Sequence, residues 1–162
     1  MTLKLGEKAP EICAVTTTGK KFVLSKQQGL CTVVFFFPRA FTATCIHENK
    51  MFAADYNELF LAGAGLVGIS TDTQATQCQF AEDLAIPFPL ISDADKTIAK
   101  AYGALRRFFG FAKRITYIIG PDQRVLGRFQ HELRVAKHRR EVLRFVNEMK
   151  AASTSSPDFS HR

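Results

Sequence analysis

The chain has 162 residues, of which 46% are hydrophobic and 23% are charged, and its formal net charge is +7. This length and composition suit one globular domain whose core is large enough to need no disulfide staples. No apolar run approaches membrane-spanning length and the amino terminus lacks an apolar signal core, so we expect a cytoplasmic protein that does not cross a membrane.

The positive charge is concentrated late in the chain. Residues 1–99 hold 8 Lys and Arg against 10 Asp and Glu, whereas residues 100–150 hold 13 against 4. Such a basic half can attract nucleic acid, an acidic protein or an anionic membrane surface, although a solvated face is the simpler interpretation. No aromatic-interleaved RNA signature accompanies these charges, so we do not expect nucleic acid as a partner.

The four cysteines, at positions 13, 31, 45 and 78, show neither a C-x-x-C pair nor a metal-site spacing. In a reducing compartment they are expected to be free thiols or to form transient disulfides. The sequence therefore predicts no zinc site.

The first half of the chain alternates between predicted strands and helices. A hairpin is predicted over residues 12–17 and 21–24. The apolar run 30–37 is typical of a strand buried on both faces, and it is followed by a predicted helix over 43–61 and a strand over 66–70. These last three segments form a βαβ unit, for which a right-handed crossover is expected.

The second half adds a hairpin and a closing helix. Its predicted elements are a helix over 74–84 capped by Asp72 or Thr73, a strand over 88–91, a helix over 95–102, a hairpin over 115–119 and 125–130, and a helix over 136–149. We expect a single domain over residues 1–152 and a frayed polar tail over residues 153–162.

The segment from Pro38 to Cys45 carries the clearest chemical signal. Pro38 has no N–H for a sheet ladder and so ends the buried strand, while Thr42 and Thr44 are candidate caps for the following helix. Cys45 then lies in the first helical turn, where free N–H groups and the helix dipole favour a thiolate. The sequence predicts a nucleophilic cysteine at the carboxyl end of a buried strand, where open α/β sheets bind their ligands.

These residues also resemble a known family. Pro38, Thr42 and Cys45 match the P-x-x-x-T-x-x-C signature of peroxiredoxins, and Glu48 matches the C-T-x-E pattern of the bacterioferritin-comigratory or Q-type branch. Four further blocks resemble family motifs in family order, namely residues 5–10 (V-G-x-x-A-P), 68–72 (G-V-S-x-D), 87–93 (P-F-P-L-L-S-D) and 114–119 (R-x-T-F-V-I).

The resemblance implies a thioredoxin-like fold, with a central mixed β-sheet flanked by helices and an amino-terminal β-hairpin. It also implies a thiol-dependent peroxidase that uses no metal, haem or flavin. Cys45, Thr42 and Arg114 would form the active site, and Pro38 would shield the thiolate from water. The implied partners are hydrogen peroxide, organic hydroperoxides and a thioredoxin- or glutaredoxin-like reductant, and we expect a monomer or weak dimer.

The chemistry gives these residues consistent roles. A thiolate that cuts an O–O bond becomes a sulfenic acid, and donors must hold both oxygens as charge builds on the leaving one. Thr42 can aim its hydroxyl at the sulfur or at the peroxide. Arg114 begins a strand predicted to lie beside the strand 30–37, so its guanidinium can reach Cys45, and Glu48 can pair with an arginine and orient it.

The sequence does not decide which thiol reacts with the sulfenic acid of Cys45. Many Q-type members carry a second cysteine five residues after the nucleophile, but here that position is Lys50. Another subgroup resolves from the following helix, which here carries Cys78, three residues before that subgroup's usual position. The alternatives are a Cys45–Cys78 disulfide and a one-cysteine cycle that uses an external thiol.

The sequence is also compatible with two rival functions. A disulfide oxidoreductase on the same fold is disfavoured because the sequence has no C-x-x-C. A redox sensor or nucleic-acid-binding protein would use the basic carboxy-terminal half.

The loop 103–111, which contains three phenylalanines and two arginines, is predicted either to pack on the core or to form an apolar rim over the active site.

Overall fold

The computed structural model describes residues 2–131 and 134–154. Its elements in chain order are strands β1 (Cys13–Val15) and β2 (Lys21–Val23), a 3-10 turn (Leu24–Lys26), β3 (Cys31–Phe36), α1 (Ala43–Leu61), β4 (Ala64–Ser70), α2 (Gln74–Asp83), β5 (Leu90–Ser92), α3 (Thr97–Ala101), β6 (Ile115–Ile119), β7 (Val125–Gln130) and α4 (Val135–Thr154). In the described ranges no helix has the length and apolar character needed to span a membrane.

The main sheet is mixed and has β3 at its centre. Its five strands lie in the order β5-β4-β3-β6-β7, in which β3 pairs with β4 in parallel and with β6 antiparallel. The separate hairpin β1–β2 was predicted, and so was the antiparallel pair β6–β7. The predicted central mixed sheet with flanking helices and an amino-terminal hairpin is thereby confirmed.

Two cores form on the two faces of this sheet because β3 alternates its side chains. Val34 and Phe36 pack with the amino-terminal hairpin and α3, whereas Val33 and Phe35 pack with α1, α2 and α4. All of the side chains of β3 are buried. The continuous apolar run that predicted a doubly buried strand therefore has a direct structural counterpart.

Two glycines are required by this packing. Gly63 follows the end of α1 with φ of +87°, a left-handed conformation that lets the chain turn directly into β4. A Cβ on Gly68 would lie 2.6 Å from the ring of Phe35 and 2.7 Å from Leu90. Gly68 thus lets the side chains of Phe35 in β3 and Leu90 in β5 pack closely over β4.

Differences from the predicted elements are local. Helix α3 begins at Thr97 rather than at residue 95, because the buried carboxylate of Asp93 accepts the N–H groups of Ile98 and Ala99 and so sets its first turn. Helix α4 continues to Thr154, two residues into the segment predicted as a tail. The remainder of that tail, residues 155–162, lies outside the described residues.

Candidate active site

Cys45 lies in the first turn of α1, directly after the carboxyl end of β3. β3 ends at Phe36, and a short loop that contains Pro38 leads to Thr42, the residue that precedes the helix. The first helical bond runs from the N–H of Ile46 to the carbonyl of Thr42. The N–H groups just before Ile46 therefore have no acceptor within the helix, and Cys45, which is 0% exposed, lies among them.

Arg114 contacts the sulfur of Cys45. Its Nη2 donates to Cys45 Sγ at 3.2 Å, and its Nη1 donates to the Glu48 carboxylate. Arg114 comes one residue before β6, whose first residue, Ile115, pairs with Phe36 of β3. The sheet register therefore delivers the guanidinium to the end of β3, as the sequence predicted.

The buried charges in this cluster compensate one another. Arg114 and Glu48 are 3% and 1% exposed, so neither charge is well solvated by water. Burial lowers the pKa of Arg114, but the negative charge of Glu48 and the nearby Cys45 sulfur raise that pKa overall. The guanidinium is consequently a permanent positive charge beside the sulfur, and the expected pairing of Glu48 with an arginine is confirmed.

The loop before α1 is tied to the end of β4. The Asp72 carboxylate accepts the N–H of Ala40 at 2.7 Å and the hydroxyl of Ser70 at 2.6 Å. Phe41 adopts φ of +65°, a left-handed conformation that is uncommon for a bulky residue, and its ring packs against Phe80 of α2. The loop is held in this strained shape by contacts at both sides.

A small pocket of about 150 Å³ opens at this loop. It is lined by Pro38, Arg39, Thr42 and Phe111. The Arg39 guanidinium lies 5.7 Å from the centre of the Phe111 ring, which closes one side of the pocket. Of the loop phenylalanines, Phe111 borders the pocket, whereas Phe108 and Phe109 are 84% and 68% exposed.

Thr42 is placed as predicted but bonded differently. It precedes α1, yet its side chain makes no capping bond, and its hydroxyl donates to the carbonyl of Arg39 at 2.9 Å. Its hydrogen is therefore used within the loop, and its oxygen is available as an acceptor toward the pocket. The other predicted cap, Thr73, does cap α2 by accepting the N–H of Thr76.

The remaining cysteines lie apart from this cluster. Burial in β3 raises the pKa of the Cys31 thiol to about 11, which makes it a poor nucleophile. Cys13 and Cys78 are exposed, and the Cys78 sulfur accepts a weak bond from Gln74 at 3.7 Å. Cys78 lies on α2, whereas the cluster of Cys45, Arg114 and Glu48 is formed by α1 and the residue before β6.

Sequence reasoning missed several residues that support the site. Asp72 was one of two candidate caps for α2, but Thr73 caps that helix and Asp72 holds the loop at Ala40. Asn49 donates from its amide to the Cys45 carbonyl at 2.9 Å, a contact that its four-residue spacing on a helix could have indicated. Buried His138 of α4 contacts the hydroxyl of Thr116, and only the three-dimensional fold shows this pairing.

Comparison with known proteins decides the family. The model of the AhpC/TSA family matches residues 5–127. The chain belongs to the AhpC/TSA family. It is 30% identical over 145 residues to the chloroplastic peroxiredoxin Q of Populus jackii, an alignment that covers 89% of this chain and 68% of the relative. It is 28% identical over 155 residues to a peroxiredoxin of Thermoplasma volcanium, covering 92% and 76% respectively.

A solved structure gives the same answer. The crystal structure of peroxidoxin BcpB from Mycobacterium tuberculosis superposes with a TM-score of 0.84 at 31% sequence identity, covering 90% of this chain and 97% of that one. The thioredoxin-like fold of the peroxiredoxins is therefore confirmed, as is the Q-type resemblance. The chain is a thiol-dependent peroxidase, and the rival nucleic-acid-binding function is not favoured.

Proposed function

We propose that Cys45 is the cysteine that attacks the peroxide, and that the substrates are hydrogen peroxide and organic hydroperoxides. The observation that carries this proposal is the contact of 3.2 Å between Arg114 Nη2 and Cys45 Sγ in the first turn of α1. This contact places a permanent positive charge beside a sulfur that already lies among free backbone N–H groups. Cys31, in contrast, is buried with a raised pKa.

In the first step the Cys45 thiolate attacks the terminal oxygen of the hydroperoxide. The O–O bond breaks, sulfur gains the OH group and becomes a sulfenic acid, and the other oxygen leaves as an alkoxide or hydroxide that takes up a proton. Sulfur loses two electrons and the peroxide gains them. A thioredoxin- or glutaredoxin-like dithiol then supplies two electrons, and it releases the sulfenic oxygen as water and restores the thiol.

The neighbours of Cys45 have distinct proposed roles. Arg114 holds the thiolate and attracts the peroxide oxygens as negative charge develops on them. Glu48, through its ion pair, fixes the direction of the Arg114 fork. Thr42 lines the pocket with an oxygen that can accept the hydrogen of the hydroperoxide, and Pro38 keeps water from the sulfur.

The pocket also supports acceptance of organic hydroperoxides. Its volume of about 150 Å³ suits a small head group, and the Phe111 ring and Pro38 give it apolar walls. An alkyl chain that extends outward would meet the exposed rings of Phe108 and Phe109 on the same loop.

The free surface thiols Cys13 and Cys78 agree with a reducing compartment such as the cytoplasm.

The test is the Cys45→Ser variant. We expect it to lose peroxide consumption, whereas Cys13→Ser and Cys31→Ala retain most of it, because only Cys45 contacts Arg114. Intact-mass measurement after one equivalent of peroxide should show one added oxygen on wild type, captured by a sulfenic-acid trap and absent from Cys45→Ser. Peroxide turnover at near the wild-type rate in Cys45→Ser would disprove the assignment.

A further inference from the structure

A second cavity, much larger than the peroxide pocket, lies where the first turns of α1 and α4 meet. It is a surface cleft of about 610 Å³, a volume within the range of about 300–1,000 Å³ typical of small-molecule sites. Its lining residues are Ala43, Thr44 and His47 from α1, and Arg134, Val135, Ala136, Lys137 and Arg140 from α4 and the residue before it. We call it the basic cleft.

The cations of the basic cleft share one face of α4. Arg134, Lys137 and Arg140 recur at steps of three residues, so their side chains line the cleft one above another. All three are exposed, as is His47 across the cleft. Side chains with this spacing present several positive charges to one bound molecule.

Two of these charges have no ion-pair partner among the described residues. Over residues 2–131 and 134–154, the ion pairs involve Lys137, which lies 4.0 Å from Glu141, but neither Arg134 nor Arg140. Arg139, which does not line the cleft, pairs with Asp55 through two hydrogen bonds. Among the described residues, Arg134 and Arg140 thus differ from Arg139 on the same helix in having no ion-pair partner.

The basic cleft adjoins the reacting cysteine. Thr42 lines the peroxide pocket, and the next two residues, Ala43 and Thr44, line the basic cleft. Consecutive residues at the start of α1 thus border the two cavities. Cys45 follows Thr44 directly in this turn.

We propose that the basic cleft binds the carboxylates of a small acidic thiol and directs that thiol to the sulfenic acid of Cys45. This inference depends on the proposed role of Cys45. The thiol sulfur attacks the sulfenic sulfur, an S–S bond forms, and the OH group leaves as water with the proton of the thiol. A second thiol molecule then attacks the mixed disulfide, which restores the Cys45 thiol and releases the oxidised thiol as a disulfide.

A small ligand fits the site better than a macromolecule. Cys45 is 0% exposed, so a small thiol can approach its sulfur with less rearrangement of the surrounding residues than a macromolecule needs. The basic residues line a concave site on two helices rather than an extended stripe with stacking aromatics, which nucleic-acid binding requires. Arginine forks match carboxylates in paired hydrogen bonds, which favours a carboxylate-bearing thiol.

The experiment compares glutathione, which carries two carboxylates, with its diethyl ester, which carries none. Protein oxidised by one equivalent of hydrogen peroxide is mixed with each thiol, and the rate of mixed-disulfide formation on Cys45 is followed by quenched-flow mass measurement. We expect wild type to react about tenfold faster with glutathione than with the ester, because the cleft attracts the acid groups.

The cleft variant is Arg134→Gln/Lys137→Gln/Arg140→Gln. The matched control is Lys20→Gln/Lys26→Gln/Lys100→Gln, which removes the same charge from exposed positions on the hairpin, the 3-10 turn and α3. The rate ratio should fall to near one in the cleft variant and persist in the control, and Arg140→Gln alone should lower it partly. The rate of Cys45 oxidation by hydrogen peroxide should be the same in all of them.

The outcomes separate this inference from the proposed function. If the sulfenic acid forms but wild type shows no preference for glutathione, the cleft proposal is wrong and the role of Cys45 stands. A preference that survives in the cleft variant, or that disappears equally in the control, also overturns it. Failure to form any sulfenic acid in the first step would overturn both.

Discussion

Arg114 is the residue on which the proposed reactivity of Cys45 depends most. A cysteine buried among apolar side chains has a raised pKa and reacts poorly, as the environment of Cys31 shows. Cys45 is equally buried, and what distinguishes its surroundings is the guanidinium at 3.2 Å together with the start of a helix. The proposed reactivity of Cys45 therefore depends on this long-range contact and on its place at the start of α1.

Substitution of Arg114 tests this directly. Arg114→Ala should slow the oxidation of Cys45 by hydrogen peroxide about 100-fold, since a charged donor aimed at the reacting atoms is lost. Arg114→Lys should recover only part of the rate, because an ammonium group cannot contact Cys45 and Glu48 in the same planar geometry. Stopped-flow oxidation kinetics give both rates.

The control for this prediction is Arg124→Ala, which removes an exposed arginine from the β6–β7 hairpin. Because Arg114→Ala leaves the buried Glu48 carboxylate without its ion pair, the folded fraction is measured in parallel by urea unfolding. An unchanged oxidation rate in folded Arg114→Ala would show that the guanidinium does not act on the sulfur.

His138 gives the folded protein a dependence on pH. Burial lowers its pKa to about 4, helped by the positive charges of His131 and Arg114 and opposed by Glu141. In the described chain its Nδ1 has no hydrogen-bond partner, and its other ring nitrogen contacts Thr116. The folded state therefore holds a neutral imidazole that the unfolded chain protonates near pH 6.5, as free histidine does.

Acid should destabilise the folded protein through His138, because the unfolded chain binds the proton more tightly. Between about pH 6.5 and pH 4 the unfolded chain binds a proton that the folded chain does not, so acidification through this window lowers the free energy of unfolding. From pH 7 to pH 5 the loss due to His138 should be about 2 kcal/mol, and His138→Gln should lack it. Urea unfolding of both proteins at the two pH values measures the difference, and parallel losses would contradict the prediction.

At the scale of elements, an ion pair between Arg139 and Asp55 joins α4 to α1. Arg139 donates to both oxygens of Asp55, at 2.6 and 2.7 Å, and the Asp55 side chain is 4% exposed while that of Arg139 is 39% exposed. A carboxylate left unpaired in such a place costs more than a solvated one. The contact thus holds α4, and with it one wall of the basic cleft, against α1.

Arg139→Ala should lower the free energy of unfolding by about 2 kcal/mol, between the values for exposed and buried pairs. Adding Asp55→Ala should restore part of that loss, since the unpaired buried charge is then gone. Arg144→Ala on the same helix is the control, because its pair with Glu148 is exposed on both sides and should contribute little. A double variant less stable than Arg139→Ala would show that the carboxylate has another role.

The elements themselves were largely predictable from sequence, and their junctions were less so. The range 43–61 of α1 was predicted correctly because its apolar residues recur at helical spacing between Thr42 and Gly63. The start of α3 was misplaced because its first turn is set by Asp93, whose buried carboxylate reaches forward to bond the N–H groups of Ile98 and Ala99. The spacing of apolar residues does not predict such hydrogen bonds from a side chain to the backbone.

At the scale of the whole molecule, site residues that are close in sequence were predictable, whereas most contacts between distant residues were not. Cys45, Thr42 and Pro38 lie in one short segment, so their spacing could be recognised in the sequence. The contact between Arg114 and Cys45 joins residues 69 positions apart, and it was predictable only because the strand order of the sheet could be anticipated. The clamp of Asp72 on Ala40 and the convergence of basic residues on one cleft depend on helix and loop packing, which no sequence pattern indicated.

Formation of a disulfide between Cys45 and Cys78 would involve the whole molecule, because Cys45 lies on α1 and Cys78 lies on α2. Cys45 is fully buried beneath the loop that Asp72 and Phe80 hold, whereas Cys78 is exposed on α2, where its sulfur contacts Gln74. A disulfide requires Cα atoms within about 7 Å and side chains that face each other. We expect that bringing these two sulfurs together unwinds the first turn of α1, a change that the Phe41–Phe80 contact opposes.

That rearrangement competes with attack by an external thiol on the folded protein. The external route leaves the loop and the contacts of Arg114 intact, so it avoids the cost of local unfolding. We therefore predict a one-cysteine cycle, in which Cys78→Ser keeps at least about half of the wild-type turnover with a dithiol reductant. Peptide mapping of oxidised wild type should find no Cys45–Cys78 bond, and Cys13→Ser serves as the control for loss of a surface thiol. A high yield of that disulfide, together with loss of turnover in Cys78→Ser, would instead establish that α1 unwinds in each cycle and that Cys78 is the resolving cysteine.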